Sequence, residues 1–343
     1  MVVRAKTLSV GVIALALGLL GATLYHLWWQ PGPPLSPAQT VLVQPGEGLR
    51  TIAPRLRQQG VVPSAIALEV LARMLGVAGQ LKPGLYQFTG GESPSEVLGH
   101  LVRGEALFVT VTIPEGLTVH QIARRLEAAH LLCAWQFEQA ARRSPLIDAV
   151  GLAPLGAEGY LFPATYRFAP HVGARQVLMA MLGRFSALLT PAVTKRIFEL
   201  GLTPDQLVTL ASMVEKEAKV PTERPLIAGV FYNRLRLNMP LQSDPTAQYS
   251  FEGDPLPMVA AVHTPSAFNT YVFAGLPPGP IANPGLAAIE AALYPTPTNY
   301  LYFVARPDGT HIFSRSLKEH DRAIESLRVR QKTAARPTEL GRR

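Results

Sequence analysis

Leu8 to Leu27 is a run of twenty residues, almost all apolar, with no formal charge and a single histidine, His26. A run that long can cross a bilayer as one helix, because lipid tolerates only a backbone that satisfies its own hydrogen bonds. Arg4 and Lys6 precede it, so the positive-inside rule predicts a cytoplasmic N-terminus and an exported remainder. Tyr25, Trp28 and Trp29 fall where an interfacial aromatic belt would sit. The competing reading is a cleaved signal peptide, which has a shorter apolar region followed by small residues. Gly21-Ala22 lies inside the run, which favours an uncleaved anchor over 8–29 behind a cytoplasmic stub at 1–7. Gln30 to Pro37 holds four prolines and reads as a stiff linker over 30–39.

The remaining chain is long enough for two or three domains with a proper core. The whole chain's formal net charge of +8 favours anionic partners such as anionic lipid or acidic wall polymers. No basic run is interleaved with aromatics, so nucleic acid is not an expected partner. The single cysteine, Cys133, rules out an intramolecular disulfide. It follows the apolar stretch from Ala128 to Leu132 and is expected to be a buried, inert thiol. The eight histidines include no His-Glu-x-x-His spacing, so neither a metal site nor a cofactor is expected.

Val41 to Leu49 reads as a short strand entering a turn, followed by Leu49, Ile52, Ala53 and Leu56 at helical spacing. Val109 to Gly116 is again strand and turn, and Val119, Ile122, Ala123 and Leu126 repeat the spacing. Thr118 and Gln121 form a capping box at the second helix start. This is a two-copy repeat of a strand-turn-helix unit, too short for a solenoid. The first copy resembles a LysM module, which would imply binding of N-acetylglucosamine polymers; an amphipathic helix packed on a hairpin explains the same pattern. Ser93 to Glu96 is another capping box, and its helix is expected to end at Gly104. The expected architecture is α+β: a transmembrane helix, a small LysM-like α/β subdomain over 40–106, a mixed α+β catalytic domain over 107–331, and a basic tail over 332–343.

Thr203-Pro204-Asp205-Gln206 opens a helix with cap, N1 proline and reciprocal glutamine. Leu207, Leu210, Ala211 and Val214 give its buried stripe, and Glu215-Lys216-Glu217 closes it. Both glutamates flank that stripe, on opposite sides, so periodicity alone does not choose between them. Glu215 lies one turn from Lys219, a solvated ion-pair partner. Glu217 lies one turn from Met213, and partial desolvation there would raise its pKa.

The run from Leu210 to Thr246 resembles the core of the endolytic murein transglycosylases, the MltG/YceG-like family. The matching stretches are Ala211 to Glu217, Val230 to Leu235 and Leu241 to Thr246. Glu158 to Pro163, Phe268 to Tyr271 and Gly275 to Gly285 match as well, and the resemblance extends over roughly residues 40 to 330. It implies that Glu217 is the catalytic acid, with Glu215 as the alternative, and that Asn233, Gln242, Asp244 and Asn269 line the cleft. Tyr271 is a candidate for stacking on a sugar face, or a core tyrosine. Ala164 stands where the family often has aspartate, Phe268 replaces a common tyrosine, and 251–265 matches poorly.

The expected activity is cleavage of the bond between N-acetylmuramic acid and N-acetylglucosamine in nascent glycan strands, leaving 1,6-anhydro ends and terminating elongation. The resemblance places the enzyme in the inner membrane, single-pass, with its catalytic domain outside the cytoplasm. It implies glycan strands, the bilayer and peptidoglycan synthases (penicillin-binding proteins) as partners. The alternatives are a glycoside hydrolase of the same polymer, with Asp244 or Glu223 as second carboxylate, and a non-catalytic wall-binding scaffold.

Overall fold

The computed structural model describes residues 2–142, 156–170 and 172–334. It resolves into two compact units, Met1–Thr110 with Arg167–His171, and Val111–Tyr166 with Val172–Arg343. Most of the expected basic tail, from residue 335 on, lies outside the described residues.

The first unit begins with helix α1 (Val2–Trp29). Among the described residues no single helix is long and apolar enough to cross a bilayer; the apolar portion there is Leu15–Trp29. Trp28 does not sit in an aromatic belt with Tyr25 and Trp29. It is 5% exposed, joins the core of the first unit, and donates its Nε1–H to the Ala67 carbonyl at 3.0 Å. The indole has an apolar body and one donor, and a folded core with an available carbonyl satisfies both.

Strand β1 (Pro34–Val43) pairs antiparallel with β2 (Gly84–Gly90), with Val41 opposite Tyr86. The strand therefore starts inside the stretch expected to be a linker, and its register is irregular between Pro34 and Gln39. Proline donates nothing to a ladder, so a proline-rich stretch enters a sheet only at such an irregular end. Helices α2 (Leu49–Gln58) and α3 (Ala65–Met74) connect the two strands, and α4 (Pro94–Arg103) follows. Ile52, Leu56, Leu68, Tyr86, Phe88, Leu98 and Leu101 are 0–2% exposed and make the core. Each contributes on the order of 1.5–3 kcal/mol of burial free energy. Helix α4 has the expected capping box and ends with Gly104 at φ 77°.

The repeat extends much further than the strand-turn-helix unit legible in sequence. Strand β3 (Val109–Ile113), helices α5 (Val119–Ala128) and α6 (Ala134–Arg142), strand β4 (Ala164–Phe168) and helix α7 (Ala174–Ser186) follow the same order as β1 to α4, and β3 pairs with β4. Gly46 and Gly116 take left-handed turns at φ 83° and 75°. Arg55 donates to the Leu42 carbonyl, and Arg125 to that of Thr112. The Tyr86 hydroxyl donates to the Lys82 carbonyl at 2.7 Å, and that of Tyr166 to Phe162 at 2.6 Å.

Cys133 is exposed, not buried. His130, at φ 53°, ends α5. The chain then turns, and the Cys133 carbonyl accepts the N–H groups of Gln136 and Phe137. A residue accepting the first bonds of a helix sits outside it, where its side chain can face solvent.

The rest of the second unit is helical around one hairpin. It runs through α8 (Pro191–Glu199), α9 (Pro204–Glu217), a 3-10 turn (Pro221–Glu223), α10 (Arg224–Arg236), α11 (Asp244–Tyr249), α12 (Met258–Ala261) and α13 (Leu286–Leu293). Strands β5 (Tyr302–Ala305) and β6 (His311–Ser314) pair antiparallel, and α14 (Leu317–Ala334) closes the chain. Helix α9 packs against α10 and α13. Every residue from Leu207 to Val214 is buried, so α9 is a core helix rather than one with a single apolar stripe.

Candidate active site

The capping box expected at Thr203 forms: its hydroxyl accepts the Gln206 N–H at 3.2 Å, and Gln206 Oε1 accepts the Thr203 N–H at 2.9 Å. Ser212, fully buried, spends its hydroxyl on the Thr209 carbonyl and accepts the Ile281 N–H at 3.0 Å. These bonds fix the helix along its length, and Glu217 is its last residue, before Ala218 turns extended.

Glu217 is partly exposed, and its Oε1 accepts the Ser243 hydroxyl proton at 2.5 Å. Ser243 is 1% exposed and is held by a buried chain of hydroxyls. Its N–H donates to Thr270 Oγ1 at 3.0 Å, Thr246 Oγ1 donates to its carbonyl at 2.6 Å, and the two threonine oxygens lie 2.7 Å apart. With Oε1 occupied by a donor, a proton carried by Glu217 belongs on Oε2. Burial pushes the Glu217 carboxyl up to about 7; the Ser243 bond opposes this and the Asp244 charge adds to it.

Glu215 is placed quite differently. Its partner is not Lys219 but Arg224, at 3.1 Å, with the Glu215 side chain 6% exposed. Its other oxygen accepts the Gly285 N–H at 3.0 Å. Both oxygens are engaged in holding α9 to neighbouring segments, which leaves Glu217 as the glutamate with an oxygen to spare.

The other expected site residues divide into two groups. Gln242 and Asp244 are exposed beside Ser243, and Tyr271 donates its hydroxyl proton to Asp244 Oδ1 at 2.5 Å. Burial, with the Asp244 carboxylate next, pushes the Tyr271 phenol well above its usual range, so it stays a donor. Gln242 takes φ 51°, and its Oε1 accepts Arg234 Nη1 at 3.1 Å. Asn233 and Asn269, expected to line the cleft, spend their side-chain amides on backbone carbonyls. Asn233 Nδ2 donates to the carbonyls of Thr298 (2.9 Å) and Tyr300 (2.8 Å), and its Oδ1 accepts from Arg236. Asn269 is fully buried; its Nδ2 donates to Ala261 (3.0 Å) and Thr264 (2.8 Å), and its Oδ1 accepts the Tyr271 N–H at 2.9 Å. Amides serve well as such clips because each offers both donors and an acceptor to a backbone that leaves regular structure.

Three residues not singled out in sequence matter here. One is Ser243. Another is Arg234, 6% exposed, which donates to the Leu241 carbonyl at 3.0 Å as well as to Gln242 and so shapes the 240–242 loop. The third is Glu158, which accepts from Val119 N–H (3.0 Å), Asn283 Nδ2 (2.9 Å) and the Tyr249 hydroxyl (3.1 Å). Burial pushes its carboxyl up to about 7 as well. Each adjoins or lies within a stretch that sequence had marked, but the partner that defines it is remote in the chain.

A carboxyl raised from 4.5 to about 7 binds its proton more tightly folded than unfolded. Its contribution to stability is complete below about pH 4.5 and is lost as pH rises toward 7. Turnover that requires the protonated form falls over the same upper limit. A urea midpoint and a kcat profile that both decline from pH 5 to 8 are expected, and Glu217→Gln should reduce the decline of the midpoint, leaving the share that Glu158 contributes. A kcat profile flat across that range would sink the assignment.

A model of the YceG-like family matches residues 41–326. The endolytic murein transglycosylase of Bacillus subtilis (strain 168) is 32% identical over 299 residues, covering 82% of this chain and 82% of that protein. The protein of the same description from Streptococcus pneumoniae serotype 2 is 33% identical over 318 residues, covering 83% of this chain; the match spans 57% of that longer protein. The crystal structure of a yceG-like protein from Listeria monocytogenes is similar at a TM-score of 0.58 and 30% identity, covering 83% of this chain and 99% of that one.

Proposed function

The chain belongs to the YceG-like family, and we infer from that membership and from the geometry around Glu217 that it is an endolytic murein transglycosylase using Glu217 for proton transfer. The observation that carries the residue assignment is the contrast between the two glutamates. Glu215 is bound at both oxygens, whereas Glu217 has one oxygen held by Ser243 and a carboxyl raised to about 7.

One carboxylate suffices for this reaction. A hydrolase needs a second group to activate water or to attack the anomeric carbon. In a lytic cleavage the nucleophile is the 6-hydroxyl of the same muramyl ring. Protonated Glu217 gives its proton to the glycosidic oxygen as the C1–O bond breaks. The 6-oxygen then bonds to C1, and its proton returns to the Glu217 carboxylate. The product is a 1,6-anhydro ring, and intramolecular attack supplies the proximity otherwise imposed on a water. Asp244, anchored by Tyr271, stands where it can stabilise developing positive charge, and Gln242 offers an amide to the substrate. Asn233 and Asn269 act through the loops they hold.

The hydrolase alternative is less well supported. Glu223 is engaged by His311, through its N–H at 3.1 Å and its Nδ1 at 2.7 Å. Asp244 is tied to Tyr271.

The anchor and the setting belong to the same reading. The last turn of α1 packs into the first unit, with Leu24 and Leu27 against its core. Residues 8–23, beyond the charged Arg4 and Lys6, then remain for the membrane, a length of roughly 24 Å at 1.5 Å per residue against a bilayer core of about 30 Å, a mismatch that local thinning of the bilayer would have to accommodate. The β-α-α-β order of the first unit supports a LysM-like role in holding N-acetylglucosamine polymers. An anchored endolytic enzyme works close to nascent glycan, where peptidoglycan synthases are the natural partners and cleavage ends strand growth.

Mass spectrometry of glycan strands digested by the full chain in detergent tests this. Anhydro-muramyl ends are the expected product. Reducing ends would instead establish the hydrolase, and the absence of cleavage the scaffold.

A further inference from the structure

Helix α3 of the first unit is apolar on both sides. Leu68, Leu71 and Ala72 face the core, while Ile66, Val70 and Met74, each one turn from the next, form a stripe on the outer side. Ile66 is 76% exposed and Met74 68%, and Leu75, just past the helix end, is exposed as well. Glu69 and Arg73 border the stripe and pair with each other at 3.3 Å, so they add no net charge to that face. A helix that is apolar all round is ordinarily covered by something.

The duplicated unit supplies an internal comparison. Its α6 corresponds to α3, with Phe137 buried as Leu68 is. On the outside of α6, Gln139 stands in place of Val70 and Gln136 in place of Ala67, around the exposed Trp135. The apolar stripe is therefore not a requirement of the fold. It belongs to the copy that carries α1.

Helix α1 packs against α3, and the Trp28 bond to the Ala67 carbonyl fixes the two at one level, within a turn of Ile66 and Val70. Leu8 to Trp28 rises about 30 Å at 1.5 Å per residue, the thickness of a hydrocarbon core. Trp28, and α3 with it, then falls at the boundary between acyl chains and headgroups. Where the bilayer thins to the length of Leu8–Thr23, Trp28 stands about 7 Å above the hydrocarbon, still within a headgroup layer of roughly that depth. Tyr25 and Trp29, both exposed, suit the same depth.

We propose that the outer face of α3 lies against the bilayer surface, with Ile66, Val70 and Met74 seated among the headgroups and upper acyl chains. Interfacial helices bury an apolar face in this way, to a depth of about 5–10 Å. The occupant of the face is the lipid from which α1 emerges, and the inference rests on the reading of α1 as an anchor. The first unit is then held at two places, which sets its rotation about α1 as well as its height above the membrane.

The test uses the full chain with Cys133→Ser, reconstituted in vesicles of phosphatidylethanolamine and phosphatidylglycerol. Met74→Cys, Leu17→Cys and Gln87→Cys, each alone, carry an environment-sensitive fluorophore. Leu17 reports on α1. Gln87 is exposed between the buried Tyr86 and Phe88, so it lies on the side of the sheet away from the core. Bromines at the headgroup end of the acyl chains should quench the Met74 label, bromines deep in the chains should quench the Leu17 label, and neither should quench the Gln87 label. A quenched Leu17 label with an unquenched Met74 label overturns the inference and leaves the anchor standing. A quenched Met74 label with an unquenched Leu17 label overturns the anchor and keeps the contact with lipid. Quenching at neither overturns both. Equal quenching at Met74 and Gln87 overturns the inference, since α3 would have no preferred side. A Met74 label shielded from water, indifferent to bromine and uncovered when the protein is diluted in lipid, overturns it in favour of a second copy of this chain.

Discussion

Glu217→Gln lowers kcat on glycan strands by about 10²–10⁴-fold, the usual contribution of a positioned general acid. The fold should be unaffected. The glutamine carbonyl still accepts the Ser243 hydroxyl, so no buried donor is orphaned. At pH 8 the variant should melt at the same temperature or higher, because the substitution removes a carboxylate whose ionised form the folded protein disfavours. Turnover and melting temperature measured on one preparation decide the matter. A loss of activity that tracks a loss of folded protein would mean that Glu217 is structural.

Glu215→Ala should do the reverse. It strips Arg224 of its partner at 3.1 Å, where the two side chains are 12% and 6% exposed, and leaves the Gly285 N–H without its acceptor. Removing one member of a buried pair costs about 3–5 kcal/mol, mostly through the charge left behind. Glu115, 3.9 Å from Arg224, compensates only weakly at that separation. The urea midpoint should fall steeply, while kcat per folded molecule falls far less than in Glu217→Gln. Glu215→Gln, which keeps an acceptor for Gly285, should recover part of the stability. A Glu215→Ala protein as stable as the unmodified chain but inactive would transfer the acid role to Glu215. The two substitutions lie two residues apart on one helix turn, so their opposite outcomes cannot come from a general weakening of α9.

The helix starts were legible because capping is local. Thr118 with Gln121, Ser93 with Glu96 and Thr203 with Gln206 each satisfy a neighbour's backbone, and all three boxes form as the spacing predicts. The repeat was only half legible. Its strand-turn-helix part carries apolar residues at matched spacing, while the closing strands share Tyr86 with Tyr166 and Phe88 with Phe168 at a different offset, after insertions of unequal length.

Cys133 and Trp28 read differently once the chain is folded. Cys133 follows an apolar stretch but sits at a helix entry, and Trp28 looks like an interfacial anchor but finds the Ala67 carbonyl. Asn233 and Asn269 have the chemistry of ligand contacts, and backbone carbonyls consume it.

The sequence by itself determined the family, the α+β class, the helix caps, and the short list of two glutamates, because these depend on residue type and near-neighbour spacing. The resemblance pointed to Glu217; only the tertiary structure gives the two glutamates different surroundings. Helical periodicity gives both the same kind of place beside the buried face. What distinguishes them is that Arg224 and Gly285 meet one, while Ser243, held by Thr246 and Thr270, meets the other. Those contacts, and the burial that comes with them, exist only once α9, α10, α11 and the 269–285 segment are packed together.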